Sequence, residues 1–313
     1  MSLNNTWREV AINNASGAQK AMVDYTTEDA PLFASVPTEP TSDGLQDVYE
    51  VLTSADFIPN QELDAPLQMV DTATRLEQTN LGNWACKIEV GEDKLMTMKM
   101  SDDAYYAMKT PEILRQTGGK LSRTVYDQLK AYAYNNQTVE GIADRVILAG
   151  GAGANDNYSI SAVKWVGGQT TGLYNAGGWG NGKVFDVKKL YGGDLGLNSE
   201  GVACYSSRIK LNSGLKLANP RYVTSLVNIT ADGNLATMGL DDKISQMIEE
   251  ARGADVLYMH PTLKRLIGSA FKLEKIQLVN ADRDINSLVD SWDGVPIITD
   301  YNLLKGTEAL VTL

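Results

Sequence analysis

Almost all the net charge of this chain lies in its first eighty residues. There Arg8, Lys20 and Arg75 stand against Glu9, Asp24, Glu28, Asp29, Glu39, Asp43, Asp47, Glu50, Asp56, Glu62, Asp64, Asp71 and Glu77. The remaining 233 residues carry 25 bases and 26 acids, so nearly the whole formal charge of −11 sits at one end. A segment charged in this way repels itself and favours an extended form over a core of its own. Five of the nine prolines, Pro31, Pro37, Pro40, Pro59 and Pro66, fall between Asp29 and Asp71. Each removes a backbone donor and biases the residue before it toward extended geometry, which disfavours helix there. The segment reads as an arm. Yet Val48, Tyr49, Val51, Leu52, Phe57, Ile58, Leu63, Leu67, Met69 and Val70 supply apolar surface that a lone strand pair cannot bury. Two partners remain open for it, the chain's own core and a neighbouring copy of the same chain.

At 313 residues and 43% hydrophobic, the chain can build one large domain or two smaller ones. A pI near 4.7 argues against a nucleic-acid-binding surface over much of the molecule, because phosphate neutralisation needs clustered Lys and Arg. No stretch of about eighteen apolar residues and no basic start followed by an apolar run is present, so the expectation is a soluble chain made in the cytoplasm, without a membrane span. Cys86 and Cys204 lack the spacing of a zinc or redox pair and are expected as free thiols. His260, the single histidine, precedes Pro261 and looks like the residue leading into a helix.

The expected architecture is α+β. Trp84 to Val90 reads as a strand that turns at Gly91 into Leu95 to Met100, and with Val48 to Ile58 it forms a long hairpin with a proline-containing tip. Thr110, Pro111 and Glu112 have the chemistry of a helix start, and apolar residues recur to a stop at Asn135 and Asn136. Gly118 and Gly119 predict a bend in that helix. Short strands follow at Ser159–Gly167, Gly172–Ala176, Val184–Leu190, Gly201–Ser207, Lys210–Leu217 and Tyr222–Ile229. Helices at Asp241–Arg252 and Pro261–Lys272 alternate with strands at Val256–Met259, Lys275–Val279, Val295–Thr299 and Glu308–Leu313.

Three motifs look chemical and are better read as structure. Gly177 to Val184 fits the spacing of a phosphate loop, but Val184 replaces the hydroxyl that would hold magnesium and a strand follows where a helix should begin. Gly150, Gly151 and Gly153 suggest a dinucleotide turn, yet Asn155, Asp156 and Asn157 prolong a loop. The pairs Asp241/Asp242 and Glu249/Glu250 lie on a helix with an apolar opposite face and read as solvated charge. No catalytic residue, cofactor site or metal site is expected.

The order of pieces, together with SISAVKWVGGQTTGLYNAGG from Ser159, GDLGL from Gly193, RIKLNSGLKLANPRYVTSLVNI from Arg208, ADVLYMHPTLKRLI from Ala254 and WDGVPIITDYNLL from Trp292, resembles the major capsid proteins of tailed phages. This is the Hong Kong 97 fold, and the chain is similar to its short gp7-like members. The resemblance implies an N-terminal arm over 1–44, an extended loop and a peripheral-domain strand over 45–100, a peripheral domain with the spine helix over 101–136, and the remaining peripheral and axial domain over 137–313. It implies an icosahedral shell enclosing double-stranded DNA in a virion, assembled in the host cytoplasm from pentamers and hexamers of the chain. Implied partners are a portal protein, a separate scaffolding protein, given about forty residues before the loop, and a possible decoration protein. Phe57, Ile58, Leu63, Leu67, Met69 and Val70 are the implied inter-subunit contacts on the loop. No lysine lies between Lys20 and Lys87, so the covalent cross-link of the founding member is expected to be absent. The alternatives are an encapsulin-like cellular compartment and an α+β ligand-binding protein or enzyme.

Overall fold

The longest element is a single helix, Asp102–Asn135, of 34 residues and about 51 Å. It begins eight residues before the start that Thr110 and Pro111 suggested. The Ser101 hydroxyl accepts a hydrogen bond from the Ala104 amide at 3.2 Å, and Asp102 and Asp103 occupy the positive end of the dipole. Pro111 lies inside the helix, where it removes one intrahelical hydrogen bond without ending it. The helix is also unbroken at Gly118. A Cβ there would come within 2.6 Å of the Thr26 carbonyl oxygen, so this glycine permits a close approach of the helix Gly17–Glu28. The computed structural model describes residues 6–13, 17–28, 30–52, 74–137, 145–151, 153–175, 185–230, 235, 238–271 and 291–312.

Two compact units are each assembled from three separated segments. The first comprises Met1–Asp47, Gln78–Ser122 and Thr171–Lys216. Its sheet has the order Thr38–Pro40, Thr170–Tyr174, Ala203–Leu217, Gly82–Gly91, with Phe185–Lys189 and Gly196–Leu197 also pairing with the third of these. The acidic leader is not an extended arm at its beginning: Trp7–Asn13 and Gly17–Glu28 are helices. Trp7, Val10, Val23, Leu32, Phe33 and Val36 are buried, which supplies a core the charge count concealed. The Trp7 indole donates to the Leu173 carbonyl at 3.2 Å, and its ring stands 5.5 Å from that of Phe33. The extended geometry expected from the prolines begins only after Pro37, where Thr38–Pro40 pairs in parallel with residues 172–174.

Two further expectations change in this unit. Residues 95–100 are not a strand; Glu92–Met98 is a helix whose first turn holds Glu92 and Asp93, and it ends at Lys99 with φ +51°. The acids taken for a turn are those of a helix N-terminus. The strand Gly82–Gly91 pairs antiparallel with Ala203–Leu217, a single 15-residue strand where two were expected. It does not pair with the segment after Val48. That segment, Gln46–Leu52, pairs with Thr74–Asn80 as a two-stranded sheet of its own.

The second unit comprises Val48–Glu77, Arg123–Thr170 and Leu217–Leu313. Its sheet runs Ser291–Trp292, Val295–Thr299, Val256–Met259, Asn157–Val163, Val223–Thr230, Val146–Leu148. Every residue of Val223–Thr230 is buried, and Ile160, Leu226, Ile229 and Leu257 share one core with Ile244 and Met247 of the helix Leu240–Glu250 and Leu263 and Ile267 of the helix Pro261–Ala270. The strands 256–259 and 295–299 and both helices lie where the sequence predicted them. His260 caps the second helix through Nδ1, which accepts from the Thr262 amide at 3.1 Å. The expected strand 275–279 lies outside the described residues.

The expected strand Glu308–Leu313 is instead an irregular segment touching the sheet through one bridge, Asn157 to Glu308. Asn228 explains the difference. It has φ +60° at an irregularity of the buried strand, between Leu226 and Ile229. Its amide brackets Val311, donating to the carbonyl at 2.6 Å and accepting from the backbone N–H at 2.9 Å. A side chain thus replaces a strand ladder.

Candidate assembly surfaces

Several ionisable groups within each unit are held in structural pairs. Arg145 is buried; its guanidinium donates to the carbonyls of Pro220, Arg221 and Glu250 and to the Glu250 carboxylate at 2.9 Å. Glu250 is therefore an anchor and not the solvated helix charge its sequence context suggested. Glu308 receives Lys130 and the Ser159 hydroxyl, the latter at 2.7 Å. The Tyr126 hydroxyl donates to the buried Asp300 carboxylate at 3.0 Å, and burial together with that negative charge pushes its pKa well up. Burial and the Lys305 charge push His260 down, against a smaller upward influence of Asp300. In the first unit Asp102 bonds Lys189, which holds the carboxyl below and the ammonium above their ordinary values.

None of these groups forms a nucleophile beside a base. Among the described residues no set of three His, Cys, Asp or Glu side chains could hold a metal ion, and no helix is long and apolar enough to cross a membrane. Cys86 and Cys204 are free thiols. The glycines 150, 151 and 153 are followed by a strand, Asn157–Val163, not by a phosphate-binding helix. Residues 177–184 lie outside the described residues.

What the surface does offer is apolar area. On the two-stranded sheet Tyr49 and Val51 face inward and pack with Ala218, while Val48 and Leu76 are 53% and 73% exposed and the adjoining Leu45 is 49% exposed. The strand Gln46–Leu52 thus has one buried face and one left in solvent, and Leu76 on its partner strand is exposed. In the first unit Met96, Met98, Met108, Leu195, Leu197 and Val202 are exposed. Exposed side chains of this size mark an interaction surface where they form one contiguous patch. The sequence signal for them was the apolar content of the acidic segment; Met96 and Met98 were missed because a strand-like context hid the helix Glu92–Met98, and Met108 because its helix starts earlier than Thr110 suggested. Phe57, Ile58, Leu63, Leu67, Met69 and Val70 all lie outside the described residues.

A family model described as Major capsid protein GP7 matches residues 130–312, more than half of the chain. No curated protein sequence matches it. Among solved structures, a chain of the bacteriophage JBD30 capsid aligns with TM-score 0.53 at 11% identity, covering 85% of this chain and 88% of that one. The JBD30 capsid decorated with minor capsid protein trimers aligns with TM-score 0.51 at the same identity and coverage. A chain of bacteriophage Epsilon15 aligns with TM-score 0.50 at 17% identity, covering 88% of each chain. At these identities the structural likeness establishes the fold, a Hong Kong 97-type architecture in which the helix Asp102–Asn135 is the spine helix. The family match sets aside the cellular-compartment and ligand-binding readings. The chain belongs to the GP7 family of major capsid proteins: it is a self-assembling structural subunit of a tailed-phage icosahedral capsid, located in the virion shell, and not an enzyme.

Proposed function

We propose that residues 45–80 form the extended loop through which one subunit completes its burial on the next, with Phe57, Ile58, Leu63, Leu67, Met69 and Val70 among the contacts. The supporting observation is the ribbon: Val48 remains exposed on a strand whose other face is packed through Tyr49 and Val51, and Leu76 remains exposed on the strand beside it. Two strands alone are marginally stable, so exposed side chains of this kind gain free energy only from a further partner. On this reading residues 1–44 are the N-terminal arm, 45–100 the loop with a peripheral strand, 101–136 the peripheral domain with its spine helix, and 137–313 the remaining peripheral and axial parts. The finished shell, built from pentamers and hexamers in the host cytoplasm, encloses double-stranded DNA and meets a portal, a scaffolding protein and a decoration protein. The minor-protein trimers on the JBD30 capsid support the last of these.

Replacing residues 53–73 with a short flexible turn tests the assignment. The expected result is a subunit with an unchanged circular dichroism spectrum and thermal melt that no longer forms closed shells by electron microscopy. Normal shells from this variant would remove the loop from assembly. Trimming the arm is a poorer test, because Trp7, Phe33 and Val36 belong to the core of the first unit.

A further inference from the structure

Residues 307–312 lie on the second unit without burying much apolar surface. Of the six only Glu308 is buried; Ala309 and Leu310 are exposed and Val311 is half-buried. Polar bonds hold the segment instead. The Glu308 amide donates to the Asn157 carbonyl at 3.2 Å, the Leu310 amide to that of Ala154 at 3.1 Å, and the Val311 amide to the Asn228 side chain at 2.9 Å. In return the Asn228 side chain donates to the Val311 carbonyl at 2.6 Å and that of Asn157 to the Glu308 carbonyl at 3.2 Å. One side chain of the segment is recognised as well: the Glu308 carboxylate takes Lys130 of the long helix and the Ser159 hydroxyl. The receiving side is shaped for these bonds. Asn157 and Asn228 are buried polar residues in a sheet with an apolar core, where such groups need partners, and Asn228 holds φ +60° at the register break of its strand.

Backbone pairing together with one pocket for a charged side chain is how proteins take up extended peptides. Each of these bonds replaces a bond to water and contributes little net free energy, so the segment is held less firmly than the buried strands beneath it. The lead-in, residues 301–306, forms neither strand nor helix, exposes Tyr301 at 82% and carries Gly306 at φ +55°. Fully extended, six residues reach about 20 Å from Asp300, which Tyr126 fixes in the core. We propose that the cleft formed by Lys130, Asn157, Ser159 and Asn228 is a peptide-binding site, filled here by residues 307–312 of the same chain and open to the same segment of a second copy. Exchange of this kind is domain swapping, which reproduces every contact of the bound state between copies. The Lys130 ammonium gives the site its preference for a carboxylate.

Hydrogen exchange on the unassembled full chain tests detachment. The amides of Leu310 and Val311 are expected to exchange about a hundredfold faster than the paired amides of Val223–Thr230, through local opening. Equal rates would mean that the segment opens only with the whole unit, and would overturn the proposal. A fluorescently labelled peptide of residues 306–313 tests the site itself. Added to the full chain carrying Glu308→Lys/Val311→Pro, which weakens the resident segment, the peptide is expected to bind saturably. Binding should fall about tenfold when the peptide itself carries Glu308→Lys, and by a similar factor when Asn228→Ala is added to the chain. The unaltered chain, whose cleft is filled by a tethered competitor, should bind it at least about tenfold more weakly than the variant. Equal binding of the two peptides, or no binding to a variant that keeps the cooperative melt of the unaltered chain, would refute the site. A variant that loses that melt would make the segment part of the core and refute it as well.

Discussion

The strand Val223–Thr230 and the strand Gln46–Leu52 solve the same problem in opposite ways. The first is buried along its whole length and takes its partners, Asn157–Val163 on one side and Val146–Leu148 on the other, from its own unit. The second hides Tyr49 and Val51 but leaves Val48 in solvent, and its single partner leaves Leu76 in solvent as well. A sheet that closes its core within one chain sets the stability of the subunit. On the proposed reading, a ribbon that stops halfway sets what the subunit can join. The contrast then assigns stability and assembly to different strands, and substitutions should separate them.

The largest effect is expected in the buried strand. Leu226→Ala should cost about 2–5 kcal/mol of unfolding free energy, since it removes methylenes from a core with no exposed side. Chemical denaturation of unassembled subunits measures this, and a loss near zero would mean that the sheet is not the stabilising core. The ribbon should show the reverse pattern. Val48→Ser combined with Leu76→Ser should change subunit stability by no more than about 0.5 kcal/mol while reducing the yield of shells. If the melt falls and assembly is untouched, the comparison is inverted.

The smallest expected effect is pH-dependent. His260 binds protons less readily folded than unfolded, because burial and the nearby Lys305 disfavour the charged form and Nδ1 is occupied as the helix cap. Below the unfolded value of about 6.5 the unfolded chain takes up a proton that the folded chain resists. The stability due to this residue is complete above that value and declines as pH falls through it. His260→Asn should keep a capping oxygen and flatten that part of the profile, read as melting temperature between about pH 5 and pH 8. An unchanged slope would exclude His260 as its source.

Much of the second unit was legible because local signals agreed with the final packing. His260 and Pro261 mark a helix start in the sequence and make one in the structure. Val295–Thr299 is a short apolar run and becomes a strand. The first unit was harder. Residues 7–28 fall within the segment that the charge count of the first eighty residues makes an arm, yet Trp7 finds Phe33 and Leu173, and Arg8 pairs with Asp24 at 3.1 Å. Pro111 is a good first residue for a helix, but Ser101 and the two acids after it start that helix earlier. The partner strand of Gln46–Leu52 carries Arg75, Glu77 and Gln78 and gave no alternation to read.

Composition and local pattern alone determined the α+β class, the acidic segment free of lysine between Lys20 and Lys87, the free thiols and the positions of elements whose apolar period matches their fold. Only the tertiary structure decided that Arg145 is held by Glu250 across 105 residues, that Asn228 takes a positive φ to bind Val311, and that Arg208 stands between Lys87 and Lys188. Pattern reports what each residue offers within a few turns of chain. Which distant strand receives it depends on the burial of the whole unit, and that balance has no local signature.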